Sequence, residues 1–380
     1  MKLRRCHGAG VAIALWLAIL GLIPGFDLTA QERAAWKVDW DRTVEAAKKE
    51  GQVNVYATLG PHLFVEEFQK AYPAIKVSGV FGRSSDLLQR IYAERRAGRY
   101  VTDVRIGGGG RDLLKLITAK MADPVKPLLL LPEVTDESKW WQGRHRYADP
   151  DGQYFFVFVG APQPGSVSYN TKIVNVREFR SFEDFLHPRW KGKMLVRDPR
   201  ATGPGGGAMR FFYHNPELGP RFIRRLFSEM DITITRDERL ATDWLARSKY
   251  AICFFCRGIP VAKRQGLPVE AFGTLKEGAG LTSEGGIISP VNRPPHPNAA
   301  KLFINWTLSR EGQIAYQQHS AKAEGTASDS LRIDIPKDEV SPEERRREGV
   351  NYIDVDSPER RDMAPILKII DEALAEGKKG

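Results

Sequence analysis

The sequence predicts an α/β protein built as two lobes with a cleft between them. Three observations carry this. Along the first half, apolar residues switch between a period of two and a helical period, so strands alternate with helices. Such alternation implies parallel sheets covered by helices on both faces. The chain has 380 residues, long enough for two cores even after loss of a leader. Strand-like runs at Tyr154–Val159 and Ser166–Asn170 flank the proline-rich APQPG, and another lies at Gly285–Val291. The first two can carry the chain out of one lobe and the third can return it.

The N-terminus reads as an export signal over residues 1–30. Lys2, Arg4 and Arg5 precede the apolar run Val11–Ile23, which is short for a membrane span, and Leu28-Thr29-Ala30 offers a cut before Gln31. Cys6 lies ahead of that run, so it is not a lipid-acceptor cysteine. Loss of Lys2, Arg4, Arg5 and Asp27 takes the net charge from +10 to +8. A basic surface suits an anionic small molecule as well as nucleic acid, and no nucleic-acid motif is present. The densest basic cluster, Arg345–Gly349, follows Glu343 and Glu344 and reads as a solvated helix face.

Each element has its own signal. Trp40, Val44 and Ala47 share a helical face that Lys48, Lys49 and Gly51 close. Gln52–Ala57 alternates as a strand. Gly60-Pro61 turns into a helix bearing Phe64 and Phe68, stopped by Pro73. Ile75 and Val77 mark the next strand, and Ser84 or Ser85 caps a helix with Leu87, Leu88 and Ile91. Asp103–Ile106 is a strand, followed by Gly107–Gly110 and a helix from Arg111. Near the end, Pro297 and Asn298 open a helix with Ala299, Leu302, Phe303 and Trp306 on one face. Ser309 caps the helix after it. Beyond Gly325 the chain is polar until Met363–Leu374, where Ile366, Leu367 and Ile370 form an apolar face that packs on a lobe.

The stretch HPNAAKLFINWTLSREGQ, His296–Gln313, resembles the C-terminal signature of family 1 extracellular solute-binding proteins, the receptors of bacterial ABC importers, in their iron(III)/Fbp-like branch. AAKKEGQVNVYAT, FQKAYPAIKV, GRSSDLLQRIYAERRAGRYVTDV, SVSYNTKIV and HPRWKGKMLVRDP are similar to the same family. The resemblance runs from about Trp36 to Gln318, with weaker likeness in SLRIDIP and NYIDVDSPE. It implies the type II periplasmic-binding-protein fold, with the ligand cleft between lobes. Lobe 1 would be 36–160 plus 285–320, lobe 2 would be 166–284, and 321–380 would be an extension. It further implies a monomeric, non-enzymatic periplasmic receptor that closes on a small solute and docks on a membrane permease. The same resemblance fits a binding protein that feeds a signalling partner instead of a permease, and sequence does not separate the two.

In open parallel sheets, ligands sit beyond the carboxyl ends of strands, where helix starts offer free N–H groups to anions. Four loops fit: Thr58–His62, Arg83-Ser84-Ser85, Gly107–Gly110 and Thr202–Gly207. Neither glycine run is a nucleotide-binding phosphate loop, because no Gly-Lys-Ser/Thr follows. Ferric members of the family carry adjacent tyrosines in lobe 2, where this chain reads Ala251-Ile252-Cys253-Phe254-Phe255-Cys256-Arg257. There is no Tyr-Tyr pair, so the reading assigns no metal and no cofactor. Tyr169 and Tyr213 remain as single phenols, each a cleft wall or a core residue. Arg257 can clamp a carboxylate or phosphate, as can Arg83 and Arg105. Arg105, inside a strand, needs an acidic partner or an exposed end.

The expected ligand contacts are Thr58, Ser84, Ser85, Tyr169, Thr202, Gly203 and Arg257, around a small anion, organic or phosphorus-containing, with an iron–anion complex as the open alternative. The alternative function is thiol–disulfide exchange by Cys253 and Cys256. Strict strand geometry would send those two side chains to opposite faces, so a disulfide between them requires a turn.

Overall fold

The computed structural model describes residues 30–58, 65–108, 110–163, 166–200, 204–283, 285–324, 328–342 and 344–377. Residues 1–29 of the expected leader, the loop carrying His62, and Thr202 and Gly203 lie outside these ranges. Among the described residues, no helix is long and apolar enough to cross a membrane.

Lobe 1 is built from α1 (Ala30–Glu50), β1 (Gln52–Ala57), α2 (Val65–Ala71), β2 (Lys76–Phe81), α3 (Ser84–Arg96), β3 (Val104–Ile106), α4 (Gly110–Thr118), α5 (Pro132–Thr135), β4 (Arg146–Tyr147) and β5 (Phe156–Val157). The chain leaves through β6 (Ala161–Gln163). Lobe 2 follows with β7 (Val167–Asn170), β8 (Met194–Arg197), α6 (Pro204–His214), α7 (Gly219–Glu229), β9 (Thr233–Thr235), α8 (Glu238–Ala246), β10 (Ile252–Phe254), α9 (Ile259–Arg264) and β11 (Val269–Ala271). The return is β12 (Ala279–Thr282). Lobe 1 then gains β13 (Ile287–Pro290), α10 (Pro297–Leu308) and α11 (Arg310–Glu324), before β14 (Tyr352–Asp354) and α12 (Ala364–Gly377).

The lobe 1 sheet runs β2-β1-β3-β13-β5-β4, with β1 parallel to β2 and β3 and the remainder antiparallel. Alternation along its strands sorts side chains to two cores. Val53, Val55, Val104 and Ile106 pack with Phe303 and Trp306 of α10. Tyr56 faces the other way, toward Leu87, Leu88 and Ile91 of α3 and Leu113 of α4. The lobe 2 sheet runs β11-β7-β10-β8-β9. Phe254 and Val196 join the α6 and α7 side, whereas Leu195 and Cys253 join the α8 and α9 side.

The α10 start departs from a self-capped helix. Pro297 occupies the first turn, where its missing N–H costs nothing. The exposed donors go to Glu50 at the end of α1: Asn298 N at 3.2 Å, Ala299 N at 2.7 Å and Asn298 Nδ2 at 2.7 Å. A carboxylate there also opposes the positive end of the helix dipole. Ser309 accepts from Gly312 N at 3.1 Å and so caps α11, as the sequence predicts.

The crossing between lobes differs from the expected strands. Tyr154–Val159 contributes β5, and Gly285–Val291 contributes β13, both inside the lobe 1 sheet. The passages are β6 and β12, which pair antiparallel in a separate sheet of order β14-β12-β6. Pro162 obscures β6 in the sequence. It is tolerated because β6 is an edge strand, where one side of the backbone needs no ladder partner.

The third member of that sheet comes from the C-terminal extension. Residues 328–342 and 344–346 first lie on lobe 1. Leu331 N donates to Phe158 O, and Trp141 N donates back to Leu331 O, both at 2.8 Å. Arg332 is fully buried, forks onto Asp334 at 2.9 and 2.8 Å, and donates to Leu308 O. The cluster Arg345–Gly349 is not a helix, and while Arg347, Glu348 and Gly349 are exposed, the Arg346 side chain turns inward. Arg346 is buried because its donors satisfy the carbonyls of Gly160 and Ser330. After β14 the chain reaches lobe 2, where Ile366, Ile370 and Ala373 of α12 enter the core that holds Phe222 and Leu226 of α7. Arg224 pairs with Glu372 and Glu376 beside them.

Because Ile370 is completely buried, Ile370→Ala should destabilise the protein by about 2–5 kcal/mol, read as a lower midpoint in urea unfolding.

Candidate functional site

Three loops of lobe 1 meet at one point. Thr58 follows β1, and its N–H donates to Ile106 O at 3.0 Å. Gly107 and Gly108 follow β3 with φ of 85° and 108°, in the region that favours glycine. A Cβ on Gly107 would sit 1.7 Å from Thr58 Oγ1 and 3.2 Å from Gly285 O. A Cβ on Gly108 would sit 2.8 Å from Arg105 Nη2 and 3.0 Å from Ser84 Oγ. The bare glycines therefore let β1, β3, the start of α3 and the loop after β12 converge.

Arg105 is the charge at this point. It lies in β3 between Tyr56 of β1 and Ser289 of β13, and only 1% of it is exposed. Its Nη2 donates to Ser84 Oγ at 2.8 Å. That bond also corrects the expected cap: Arg83 is the N-cap of α3, and no side chain caps the helix. Ser84 turns to the arginine instead, so its hydroxyl belongs to the loop cluster. Ser85 is exposed and contacts Asp86 at 3.1 Å.

Lobe 2 holds a charged cluster of its own. Arg197, at the end of β8, is buried and pairs with Glu238 Oε1 at 2.5 Å. Arg257 reaches the same oxygen at 3.7 Å, with 56% of its side chain exposed. Asp198, the residue just past β8, accepts from Arg236 at 2.9 Å and from Arg200 at 3.1 Å. Burial pushes the Asp198 carboxyl up, but hydrogen bonds from the Arg200 backbone and the two guanidinium groups outweigh it, so its pKa lies below the usual value. Arg197 and Glu238 were not singled out from the sequence, because nothing local to either residue marks the pair.

Cys253 and Cys256 form a disulfide with Cα atoms 5.9 Å apart. The required turn is there: β10 ends at Phe254, and Phe255 adopts φ 67°. This breaks strand alternation and returns Cys256 to the face that holds Cys253, against α8 and α9. The turn also presses the Phe255 ring to within 3.0 Å of where a Cβ on Gly205 would be, at the start of α6. Tyr169 is not brought to either cluster. It is 7% exposed and packs on Phe272 with ring centroids 4.6 Å apart. Among the described residues, no group of three or more His, Cys, Asp or Glu side chains is gathered as a metal would need.

Comparison with known proteins bears on the fold. No family model matches the chain. A sequence relative, an uncharacterized protein of Haemophilus influenzae, is 28% identical over 149 residues, covering 37% of this chain and 40% of the relative. The chain thus spans well under half the length of the curated relative it matches. Solved structures align far more broadly. The substrate binding protein of an ABC transporter from Agrobacterium tumefaciens covers 87% of this chain and 97% of its own, with TM-score 0.53 and 15% identity. The periplasmic binding protein AfuA from Actinobacillus pleuropneumoniae, bound to fructose-6-phosphate, gives 0.53 at 20% identity over 87% and 99%. The Trichodesmium protein IdiA (FutA), in complex with iron and citrate, gives 0.59 at 15% over 85% and 99%. This chain has the fold of the periplasmic binding proteins. At these identities the likeness is one of fold, and the solutes named for those proteins are theirs.

Gly107→Ala should lower the melting temperature, because its φ and the Thr58 side chain both reject a methyl group. Gly206→Ala, with nothing within 4 Å, should leave it unchanged or raise stability by up to about 1 kcal/mol. The Asp198 pKa sets a pH dependence. A carboxyl lowered on folding contributes fully above its unfolded pKa of about 4, and that contribution is lost as pH falls through the folded value. Asp198→Asn should therefore flatten the acid limb of melting temperature against pH.

Proposed function

We propose that this protein is the substrate-binding receptor of a bacterial ABC importer, exported to the periplasm, where it closes two lobes on a small anionic solute and presents it to a membrane permease. Arg105 is the observation that carries the reading. A guanidinium held inside a strand of a sheet is costly to desolvate, and a planar fork of donors at a strand end is suited to recognising an anion. It lies at the carboxyl end of a parallel strand pair, under two glycines, with Thr58 and Ser84 beside it. Arg197 and Arg257, joined through Glu238, supply positive charge from lobe 2. Each lobe then holds part of the contact set, so a bound anion favours the closed state. Thr58, Ser84, Thr202, Gly203 and Arg257 are the proposed contacts with Arg105; Ser85 is placed at the rim.

Thiol–disulfide exchange is the weaker reading. The two cysteines are 0% and 9% exposed, and exchange needs in-line access to a sulfur.

Titration calorimetry with inorganic phosphate, citrate and fructose 6-phosphate tests the proposal. A charge-assisted hydrogen bond contributes about 1.5–3 kcal/mol, so Arg105→Met should weaken the best binder by roughly tenfold to a hundredfold. Ser84→Ala should cost less, and Arg105→Lys should keep part of the affinity. Tight binding of Fe(III) without an accompanying anion, unchanged in Arg105→Met, would mean that the cargo is bare iron.

A further inference from the structure

The C-terminal extension makes a third covalent passage between the lobes, and its charges tie it to both. Arg332 and Arg346 seat it on lobe 1, and α12 seats it on lobe 2. Between those seats, β14 pairs parallel with β12, with Leu281 opposite Asp354. At the end of β14 two carboxylates divide their partners. Asp354 binds Arg146 of β4, in lobe 1. Asp356 binds Arg210 of α6, in lobe 2, at 3.2 Å. The second oxygen of Asp356 accepts from the N–H and hydroxyl of Ser283, just past β12, at 2.9 and 3.1 Å. Backbone oxygens here are used too: Arg361 donates to Asp356 O at 2.6 Å and Arg360 to Asp354 O at 3.2 Å.

We propose that this segment is an interlobe latch, in which Asp354 and Asp356 hold Arg146 of lobe 1 and Arg210 of lobe 2 at a set separation and so fix the range of lobe openings. The joint differs from the two other passages in kind. β6 and β12 join the lobes through backbone ladders, which bend with little cost. The latch joins them through partly buried ion pairs, with Arg146 the buried member, and ion pairs hold only over a short range of distances. Arg146 is 9% exposed and lies 5.2 Å from the Trp141 ring. Burial, followed by repulsion from Arg144 and Arg346, brings its pKa down to about 10. Rotation of one lobe that separated Arg146 from Asp354 would leave a buried cation among other cations, which is strongly unfavourable. Lobe motion is therefore channelled into angles that keep both pairs.

Pulsed dipolar EPR on the solute-free protein tests this. Spin labels go on Lys70→Cys in lobe 1 and Arg247→Cys in lobe 2, whose side chains are 68% and 77% exposed, in a Cys6→Ser background without reductant. Asp356→Asn and Arg210→Gln should each broaden the interlobe distance distribution. Loss of one charged hydrogen bond should raise the ratio of released to latched separations by about tenfold or more. The double variant should add little to either single one, since both cut the same bond. Arg225→Gln, which cuts pairs to Glu183 and Glu229 inside lobe 2, should leave the distribution as it is. Should Asp356→Asn not fold, Asp354→Asn cuts the lobe 1 side alone and carries the same expectation. Unchanged widths in folded variants, or equal broadening in Arg225→Gln, would overturn the latch. No solute enters the measurement, so its failure is distinguishable from failure of the receptor reading.

Discussion

Every covalent link between the two lobes passes beside one small sheet. β6 and β12 are only three and four residues long, and β14 adds three more. Short ladders hold few hydrogen bonds, so the angle between lobes is not set by the strands alone. It depends on what is packed and paired around them. Gly160, where the chain enters β6, receives Arg346 on its carbonyl, and Ser283, where it leaves β12, gives both its donors to Asp356. The extension thus reaches both ends of the crossing. The two lobes have separate sheets and separate cores, and the chain passes between them through this joint.

Inside lobe 1 the geometry follows from where the sheet opens. β1 and β3 are parallel neighbours, so their carboxyl ends and the helix starts that follow point the same way. Glycine at 107 and 108 removes the side chains that would hold those ends apart. A buried arginine fills part of the space and is steadied by a hydroxyl from α3. The far side of the sheet is apolar and tight, with Phe68 edge-on to Phe303 and Trp306 at 5.0 and 5.3 Å. A firm core on one face and a polar cluster at one end hold the buried charge at the carboxyl end of the parallel strands.

Lobe 2 meets its own version of this requirement with a covalent bond. The turn after β10 places Phe255 in a left-handed conformation that a bulky side chain adopts only when its surroundings hold it there. The disulfide closes that turn, and burial of both cysteines keeps it closed. Arg257 follows directly, so its backbone is fixed. Thr242 Oγ1 donates to Arg257 O at 2.8 Å and secures it from α8.

The sequence by itself determined the α/β class, the order of elements in the first half, the helix pair after Pro297 and the apolar face of α12. These depend on periodicity and on proline, glycine and serine at element ends, which act over a few residues. It also placed Thr58, Ser84, Arg105 and the glycine run on loops or strand ends that can converge. Tertiary structure decided the rest. Ser84 was legible as a helix cap, but an arginine 21 residues away claims its hydroxyl. Pro162 read as a loop, yet it lies in a crossing strand because its free side has no neighbour. The cluster at Arg346 read as solvated, and Tyr169 was open to either a wall or a core. The Arg346 side chain and Tyr169 are buried by partners far along the chain, while Arg347 and Glu348 stay exposed. Arg146 and Asp354 stand 208 residues apart, and no local pattern encodes their meeting. Charge pairs are set by folded distance, whereas periodicity is set by neighbours in sequence, and only the second can be read from a chain alone.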